Sequence, residues 1–238
     1  MIRGGSAITD GAPYDWESIA RSLDAHGNAV LPQLLSTAEC AELIGMYEQS
    51  ERYRTRIVMA KRGFGSGEYK YFSYPLPAVV ARLRAELYRN LAPIANRWNE
   101  ALAVDVRYPR ELSEFIQRCH AAGQQRPTPL ILKYGVGDYN CLHRDLYGEH
   151  VFPLQVAILL AQPGKDFEGG EFVMTETGSR GQRAEVVALS QGDAVIFTVN
   201  ARPAAGARGV RKVSMRHGVS RVLRGRRNTV GIIFHDSK

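Results

Sequence analysis

Apolar residues along this chain follow two spacings. In the first part they recur at helical intervals. Asp15–Ala25 reads as a weak helix, and Ala29–Leu35 (AVLPQLL) as a short buried strand. Ser36 and Glu39 make a capping box that starts a helix running to about Glu51, with Cys40, Leu43, Ile44 and Tyr47 on one stripe. Pro77 opens a long helix, because proline suits a first helical turn. Val80, Leu83, Leu87, Leu91, Ile94 and Trp98 give that helix one apolar face, and Pro93 is a site for a kink. Glu111–Ala122 forms another helix, closed by Gly123. Helices with one apolar stripe need a surface to cover, and the outside of a sheet is the expected partner.

From Pro127 the spacing shortens. TPLILKY, FPLQVAILLAQ, GEFVMTE, RAEVVAL, DAVIFTV, VRKVSMR and NTVGIIF are short apolar or alternating runs. Gly164, Gly169, Gly170, Gly178, Gly192, Gly206 and Gly225 punctuate them. Many short strands separated by turns predict a β-sandwich or barrel. With residues 1–13 as a flexible tail, the chain divides into a helix-rich extension, 1–126, packed on a β-rich core, 127–238.

Residues 52–74 (RYRTRIVMAKRGFGSGEYKYFSY) mix β-rich pieces with a glycine turn. Gly63, Gly65 and Gly67 lack the GxGxxG spacing, and no Lys-Ser/Thr follows, so a mobile hairpin is expected rather than a phosphate loop. Phe64, Tyr69, Tyr71, Phe72 and Tyr74 interleave with Arg56, Lys61, Arg62 and Lys70. Aromatic faces stack on bases and cations hold phosphates, which suits a substrate flap. The alternative is that the aromatics pack on the core and the cations face water.

Composition narrows the class. The 238 residues are 45% hydrophobic, enough for one large domain or a core with an extension. No apolar run approaches the roughly 18 residues of a membrane span. The first residues, MIRGGSAITDGAPYDW, contain no apolar stretch of a secretory signal. Cys40, Cys119 and Cys141 are widely spaced with no CxxC, which predicts a reducing compartment and a cytoplasmic protein. Net charge is +7 and the pI about 9.4. Arg202, Arg208, Arg211, Lys212, Arg216, Arg221, Arg224, Arg226 and Arg227 fall in a segment without Asp or Glu. Such a stripe suits a polyanion; the plainer reading is a solvated face with one or two ligand-binding arginines.

Candidate chemistry centres on His143-Arg144-Asp145. In an extended segment His143 and Asp145 share a face and Arg144 points away. An imidazole and a carboxylate, with a second imidazole from elsewhere, make the facial triad of non-haem Fe(II). His150 follows Asp145 closely across Gly148, and His235 lies near the C-terminus. His217 has the most telling surroundings, H-x-V-x-x-V-x-x-G-x-R, in which a turn at Gly225 would return Arg227 to its side. An arginine there offers a bidentate fork to a carboxylate.

Taken in order, these features resemble the Fe(II)/2-oxoglutarate-dependent dioxygenases, over roughly Pro127–His235. Tyr134, Gly137, His143 and Asp145 match the R-Y-x-x-G…H-x-D run found in prolyl hydroxylases and in alkylated-nucleic-acid demethylases. Phe167-x-Gly169-Gly170-Glu171-Phe172 is similar to the family's F-x-G-G-E-L turn, and Gly192–Phe197 to its G-x-A-L-x-F strand. The resemblance implies an α+β fold: a double-stranded β-helix (jelly-roll) core with flanking N-terminal helices. It implies that His143, Asp145 and His217 hold Fe(II), and that Arg227, with Tyr134 and Thr229, binds the far carboxylate of 2-oxoglutarate, with O2 as oxidant. No side-chain general base is then required.

Family membership leaves the acceptor open. The His217-to-Arg227 gap is nearer the prolyl-hydroxylase pattern, and the R-x-N-x-T-x-R run of nucleobase demethylases is absent after Arg227-Asn228-Thr229. The basic stripe, the aromatic-basic segment and LHRDLYGEHVFPLQVAILL, which resembles a bacterial group linked to oxidative repair of alkylated DNA, favour nucleic acid, with single strands the easier substrate. The alternatives are a Pro-containing protein substrate, or a non-catalytic nucleic-acid-binding β-module. Tyr147, Glu149, His150 and Gln155 are candidate pocket residues, and Cys141 a candidate for oxidation.

Overall fold

The helical spacing yields α1 (Trp16–His26), α2 (Thr37–Met46), α3 (Ala78–Ala101) and α4 (Leu112–Ala121) in the computed structural model, which describes residues 14–146, 148–178, 181–206 and 209–238. The expected tail at 1–13, Tyr147 and Arg208 lie outside those residues. Asp15 caps α1 by accepting from the amides of Glu17 and Ser18. The Ser36/Glu39 capping box forms and starts α2. That helix stops at Met46, short of Glu51, which lies in a separate short turn of 3-10 helix. All six apolar positions expected along α3 are buried, and Pro93 sits within the helix.

Between these helices run β1 (Asn28–Leu31), β2 (Tyr53–Val58), β3 (Gly65–Ser66) and β4 (Glu68–Phe72). The C-terminal part supplies β5 (Leu130–Tyr134), β6 (Tyr139–His143), β7 (Leu154–Leu159), β8 (Phe167–Gly169), β9 (Phe172–Gly178), β10 (Gly181–Val187), β11 (Ala194–Thr198), β12 (Ala201–Gly206), β13 (Gly209–Val219), β14 (Val222–Gly225) and β15 (Arg227–Ile232). One antiparallel sheet has the order β1-β11-β7-β15-β5-β4-β2, and a second the order β10-β9-β13-β6-β3, with β12 also on β13. The small pair β8–β14 closes one end. This is the α+β jelly roll with flanking helices.

The larger sheet has both faces covered. β7 and β11 are buried at every position, which is why FPLQVAILL and DAVIF read as continuous apolar runs rather than alternating ones. On the outer face Val156, Ile158, Ile196, Val230 and Ile232 join Leu83, Leu87, Leu91 and Trp98 of α3 in one core. Each such side chain contributes about 1.5–3 kcal/mol on burial. The inner face, with the smaller sheet, encloses the cavity described below.

Residues 52–74 do not project as an independent hairpin. β2 and β4 extend the larger sheet beyond β5, while β3 pairs with β6 of the smaller one. Lys70 lies over the Tyr47 ring at 4.3 Å on one side of the segment, and Tyr69 and Tyr71 line the cavity on the other. Alternation along β4 thus turns Lys70 away from the cavity, whereas Arg54 stays with the aromatic wall, over the Tyr71 ring at 4.3 Å.

Candidate active site

β6 and β13 pair so that His143 and His217 are direct cross-strand partners, their rings 4.3 Å apart. Asp145 follows two residues after the end of β6. Its carboxylate meets both imidazoles: Oδ1 lies 3.4 Å from His143 Nε2, and Oδ2 lies 3.5 Å from His217 Nε2. The three ligand atoms all fall within 4.8 Å of one another. Adjacent ligands of a six-coordinate first-row metal with bonds of roughly 2.1 Å lie about 3 Å apart, so this spacing fits such an ion. Two imidazole nitrogens and one carboxylate oxygen are a donor set that would suit a non-haem Fe(II) ion.

The neighbours fix how these ligands are presented. His143 Nδ1 donates to the Cys141 carbonyl at 2.8 Å, which leaves Nε2 free to face the carboxylate. The His217 ring packs against a pair of touching rings, Phe172, centroid 6.0 Å away, and Phe197, 4.5 Å away. Burial disfavours charge on all three groups. For Asp145 the two imidazoles outweigh it and hold the carboxyl far below the usual range. For His143 the same carboxylate outweighs burial and raises the imidazole pKa. At His217 burial wins and the pKa falls, so this ring is held as a neutral ligand.

Arg227 does not lie beside His217 on one ladder, as the Gly225 turn suggested. The turn carries the chain from the β8–β14 pair to the larger sheet, so that Arg227 and His217 line one cavity from different sheets. Its ladder partner is Tyr134 of β5. Gly225 has φ +76°, and a Cβ there would stand 1.9 Å from the Asp166 carbonyl oxygen, so only glycine makes this crossing. Gly170, in the F-x-G-G-E turn, has φ +64°, and a Cβ would lie 2.9 Å from Arg227 Cδ. The second glycine of that motif therefore clears the path of the arginine.

Arg227 is 2% exposed and donates to Thr229 Oγ1 at 2.6 Å. Its Nε has no partner, and neither has the hydroxyl of the fully buried Tyr134. Asn140 lies near enough to that hydroxyl to affect its ionisation, but not in hydrogen-bond geometry. Burial raises the Tyr134 pKa, which keeps the hydroxyl protonated as a donor. Among the described residues no carboxylate forms an ion pair with Arg227. A buried guanidinium without a counter-charge is costly, so the donors of Arg227, Tyr134 and Thr229 fit the carboxylate of an anionic co-substrate.

Both groups line one cavity of about 740 Å³. Its lining includes the half-buried Arg54 and the exposed Arg62, Arg126 and Lys238, together with Tyr69, Tyr71, Leu130 and Leu132. Gln155 and His235 also line it, so His235 belongs to the cavity wall and not to the triad. Glu149 and His150 do not line it. Their amides donate to Gln124 Oε1 at 3.0 and 2.8 Å, which pins the loop after Asp145. The basic stripe disperses in space. Arg202 is buried against Glu176, Arg224 pairs with Glu168, Arg227 enters the cavity, and Arg211, Lys212, Arg216, Arg221 and Arg226 are exposed. Cys141 is exposed, and its contribution at the site is its carbonyl.

Sequence reasoning missed Arg54, Arg126 and Gln124, for which no local signal exists. Phe172 and Phe197 had one: both end motifs already quoted.

An antiparallel jelly roll that brings two histidines and an aspartate together, in one cavity with a buried arginine, defines a class: the 2-oxoglutarate/Fe(II) oxygenases. The comparisons with known proteins agree. The chain aligns over 94% of its length with a prolyl-4-hydroxylase of Pseudomonas putida (all of that chain, 12% identity, TM-score 0.54). It aligns equally with a 2-oxoglutarate–Fe(II) oxygenase-family oxidoreductase of Burkholderia pseudomallei (93% of that chain, 15% identity, TM-score 0.54). A Mycobacterium tuberculosis protein described as uncharacterised, found in two strains, is 46% identical over 167 residues, 70% of this chain and 72% of its own. Residues 67–237 match a family described as "Oxygenase, catalysing oxidative methylation of damaged DNA", and the chain belongs to that family. It is a 2-oxoglutarate/Fe(II)-dependent oxygenase, whose cofactor set is Fe(II), 2-oxoglutarate and O2. Among the described residues no helix is long and apolar enough to cross a membrane.

Proposed function

We propose that this enzyme oxidatively removes N-alkyl groups from damaged nucleic acid. His143, Asp145 and His217 hold Fe(II), and Arg227, Tyr134 and Thr229 hold the far carboxylate of 2-oxoglutarate. The observation that carries the acceptor class is the cavity lining, where Arg54 and the exposed Arg62, Arg126 and Lys238 stand with Tyr69 and Tyr71. Cations beside an aromatic, apolar wall are what a phosphodiester bearing an everted base requires. Family membership supports the same reading.

When bound, the metal and co-substrate supply the oxidation: one atom of O2 enters a C–H bond of the alkyl group, the other ends in succinate, and CO2 leaves. The hydroxylated N-alkyl carbon then parts from nitrogen as an aldehyde. The chain contributes placement. Asp145 stays anionic between its imidazoles, and His217 stays neutral. Arg227 and Tyr134 turn otherwise unpaired donors to the co-substrate carboxylate. Phe172 and Phe197 keep water from the inner side of His217.

The test is incubation of the iron-loaded protein and 2-oxoglutarate with an oligonucleotide carrying one N-methylated base. Loss of a methyl group with release of formaldehyde is expected. A methylated oligonucleotide left intact, with one oxygen gained on a Pro-containing peptide, would replace this reading with prolyl hydroxylation.

A further inference from the structure

The smaller sheet turns one face to the cavity and the other to solvent. Direct cross-strand partners share a face, so the register sorts its side chains. Phe172, Met174, Met215 and His217 point inward. Alternation therefore turns Arg216, opposite Thr175, and Ser214, opposite Thr177, to the outside. Lys212, opposite Pro203, joins them. Thr177, Val186, Lys212 and Arg216 are exposed on that outer face.

Its charge is of one sign. β9, β10, β12 and β13 contain two carboxylates, Glu176 and Glu185. Both fall on the inward register, opposite Met215 and Met174. Arg183 and Arg202 of the same sheet pair with Glu176. Among the described residues, Lys212 and Arg216 form no ion pair.

A third cation comes from the ligand run itself. Arg144 stands between His143 and Asp145 and points the other way. One of its guanidinium nitrogens lies 3.2 Å from Asn200 Oδ1 and 3.5 Å from Ser214 Oγ. The contact with Ser214 sets Arg144 on the outer face. Two residues further, Leu146 is exposed and lines the cavity. At 3.8 Å between consecutive Cα atoms, the chain passes from outer face to cavity lining within roughly 8 Å.

We infer that the outer face of the smaller sheet is a phosphate track for the nucleic-acid strand that carries the lesion. With its damaged base in the cavity, the strand crosses Arg144–Leu146 and lays its backbone against Arg144, Arg216 and Lys212. This rests on the nucleic-acid reading above and adds a binding surface to it. Each nucleotide brings one negative charge. A guanidinium takes a phosphate by two parallel hydrogen bonds, and an ammonium takes it as a point charge. The positions between the cations are neutral, so nothing on the track repels a polyanion. Contacts of this kind hold the strand without reading its sequence.

The experiment measures formaldehyde release from two substrates with the same N-methylated base. One is a trinucleotide, and the other a single strand of roughly 15 nucleotides, long enough to track a basic surface. The wild-type protein is expected to favour the long strand by roughly tenfold or more in kcat/KM, through KM, at low salt. Arg216→Gln and Lys212→Gln are each expected to lower the slope of log affinity against log salt for the long strand by about 0.7. Arg216→Glu with Lys212→Glu should abolish the advantage of the long strand. Arg144 is left in place because it sits between two proposed metal ligands. A wild-type protein without a long-strand advantage overturns the inference and leaves the proposed function standing. So do variants that keep the wild-type ratio and slope. Release from neither substrate overturns both. A thermal melt and 2-oxoglutarate affinity check the fold of each variant, and the wild-type ratio is independent of them.

Discussion

Arg227 and Tyr134 stand directly opposite one another in the ladder between β15 and β5, with the guanidinium carbon 5.7 Å from the ring centre. Each keeps a buried donor that no protein group uses. In the proposed function these two donors take the far carboxylate of 2-oxoglutarate. Arg227→Met is expected to weaken 2-oxoglutarate binding by about 100-fold, the loss of a charge-assisted pair worth roughly 3 kcal/mol. Titration calorimetry on the metal-loaded protein checks this. Metal content should be unchanged, because Arg227 is not among the grouped ligand atoms.

His143→Ala removes one of three grouped donors and leaves Asp145 and His217 alone. Metal content after gel filtration is expected to fall, and 2-oxoglutarate turnover to fall by about 1,000-fold or more. Chelation of the wild-type protein should have the same effect and be reversed by Fe(II). Turnover that survives the substitution would show that the metal lies elsewhere.

Arg126→Gln and Arg54→Gln address the cations of the cavity lining. If these cations meet phosphates, each substitution should lower the slope of log affinity against log salt by about 0.7 for single-stranded DNA. Fluorescence anisotropy over a salt series measures it. An unaltered slope for both would remove these two cations from the binding surface.

Glu68 links β4 to the rest of the larger sheet, accepting from Tyr47 at 2.8 Å and pairing with Lys133 at 2.8 Å and with Arg56. Burial works to raise its pKa, but Lys133, Arg56 and Tyr47 outweigh burial and hold it at about 2, against an ordinary 4.5. A depressed pKa means the folded state binds its proton less readily than the unfolded chain. Its contribution is therefore complete above 4.5 and is lost as pH falls through the interval down to about 2. Glu68→Gln should cost on the order of 2 kcal/mol at neutral pH, with the gap to wild type closing across that interval in urea melts.

Arg84 and Asp236 form a buried ion pair at 2.7 Å, 2% and 0% exposed, that ties α3 to the chain just beyond β15. Arg84 also donates to the carbonyls of Ile233 and Phe234. Arg84→Leu is expected to cost about 3–5 kcal/mol, because it removes the guanidinium from a buried carboxylate and leaves it only His120 and Tyr74. Adding Asp236→Asn should recover part of that loss in thermal or urea unfolding, a coupling that independent sites would not show.

The amino-acid sequence by itself determined much of the local structure. The Ser36/Glu39 box, the α3 stripe and the runs that became β7 and β11 were legible because capping and periodicity act over a few residues. The His-x-Asp pair was legible for the same reason, since alternation alone sets both side chains on one face. The family pattern added His217, Tyr134, Thr229 and Arg227, which the fold brings to one cavity.

Only the tertiary structure decided which groups face each other. Strand register put His217 beside His143, and Arg227 beside Tyr134 on the opposite sheet. The same pairing built residues 52–74 into both sheets and dispersed a basic stripe that is continuous in sequence. It also brought Gln155, His235, Arg54 and Arg126 to one cavity, although they come from separate parts of the chain. Hydrophobic pattern says which face of a strand turns inward, while the partner across the sheet depends on how distant strands align. The reaction could therefore be read from the sequence, whereas the shape and donors of the acceptor pocket could be read only from the fold.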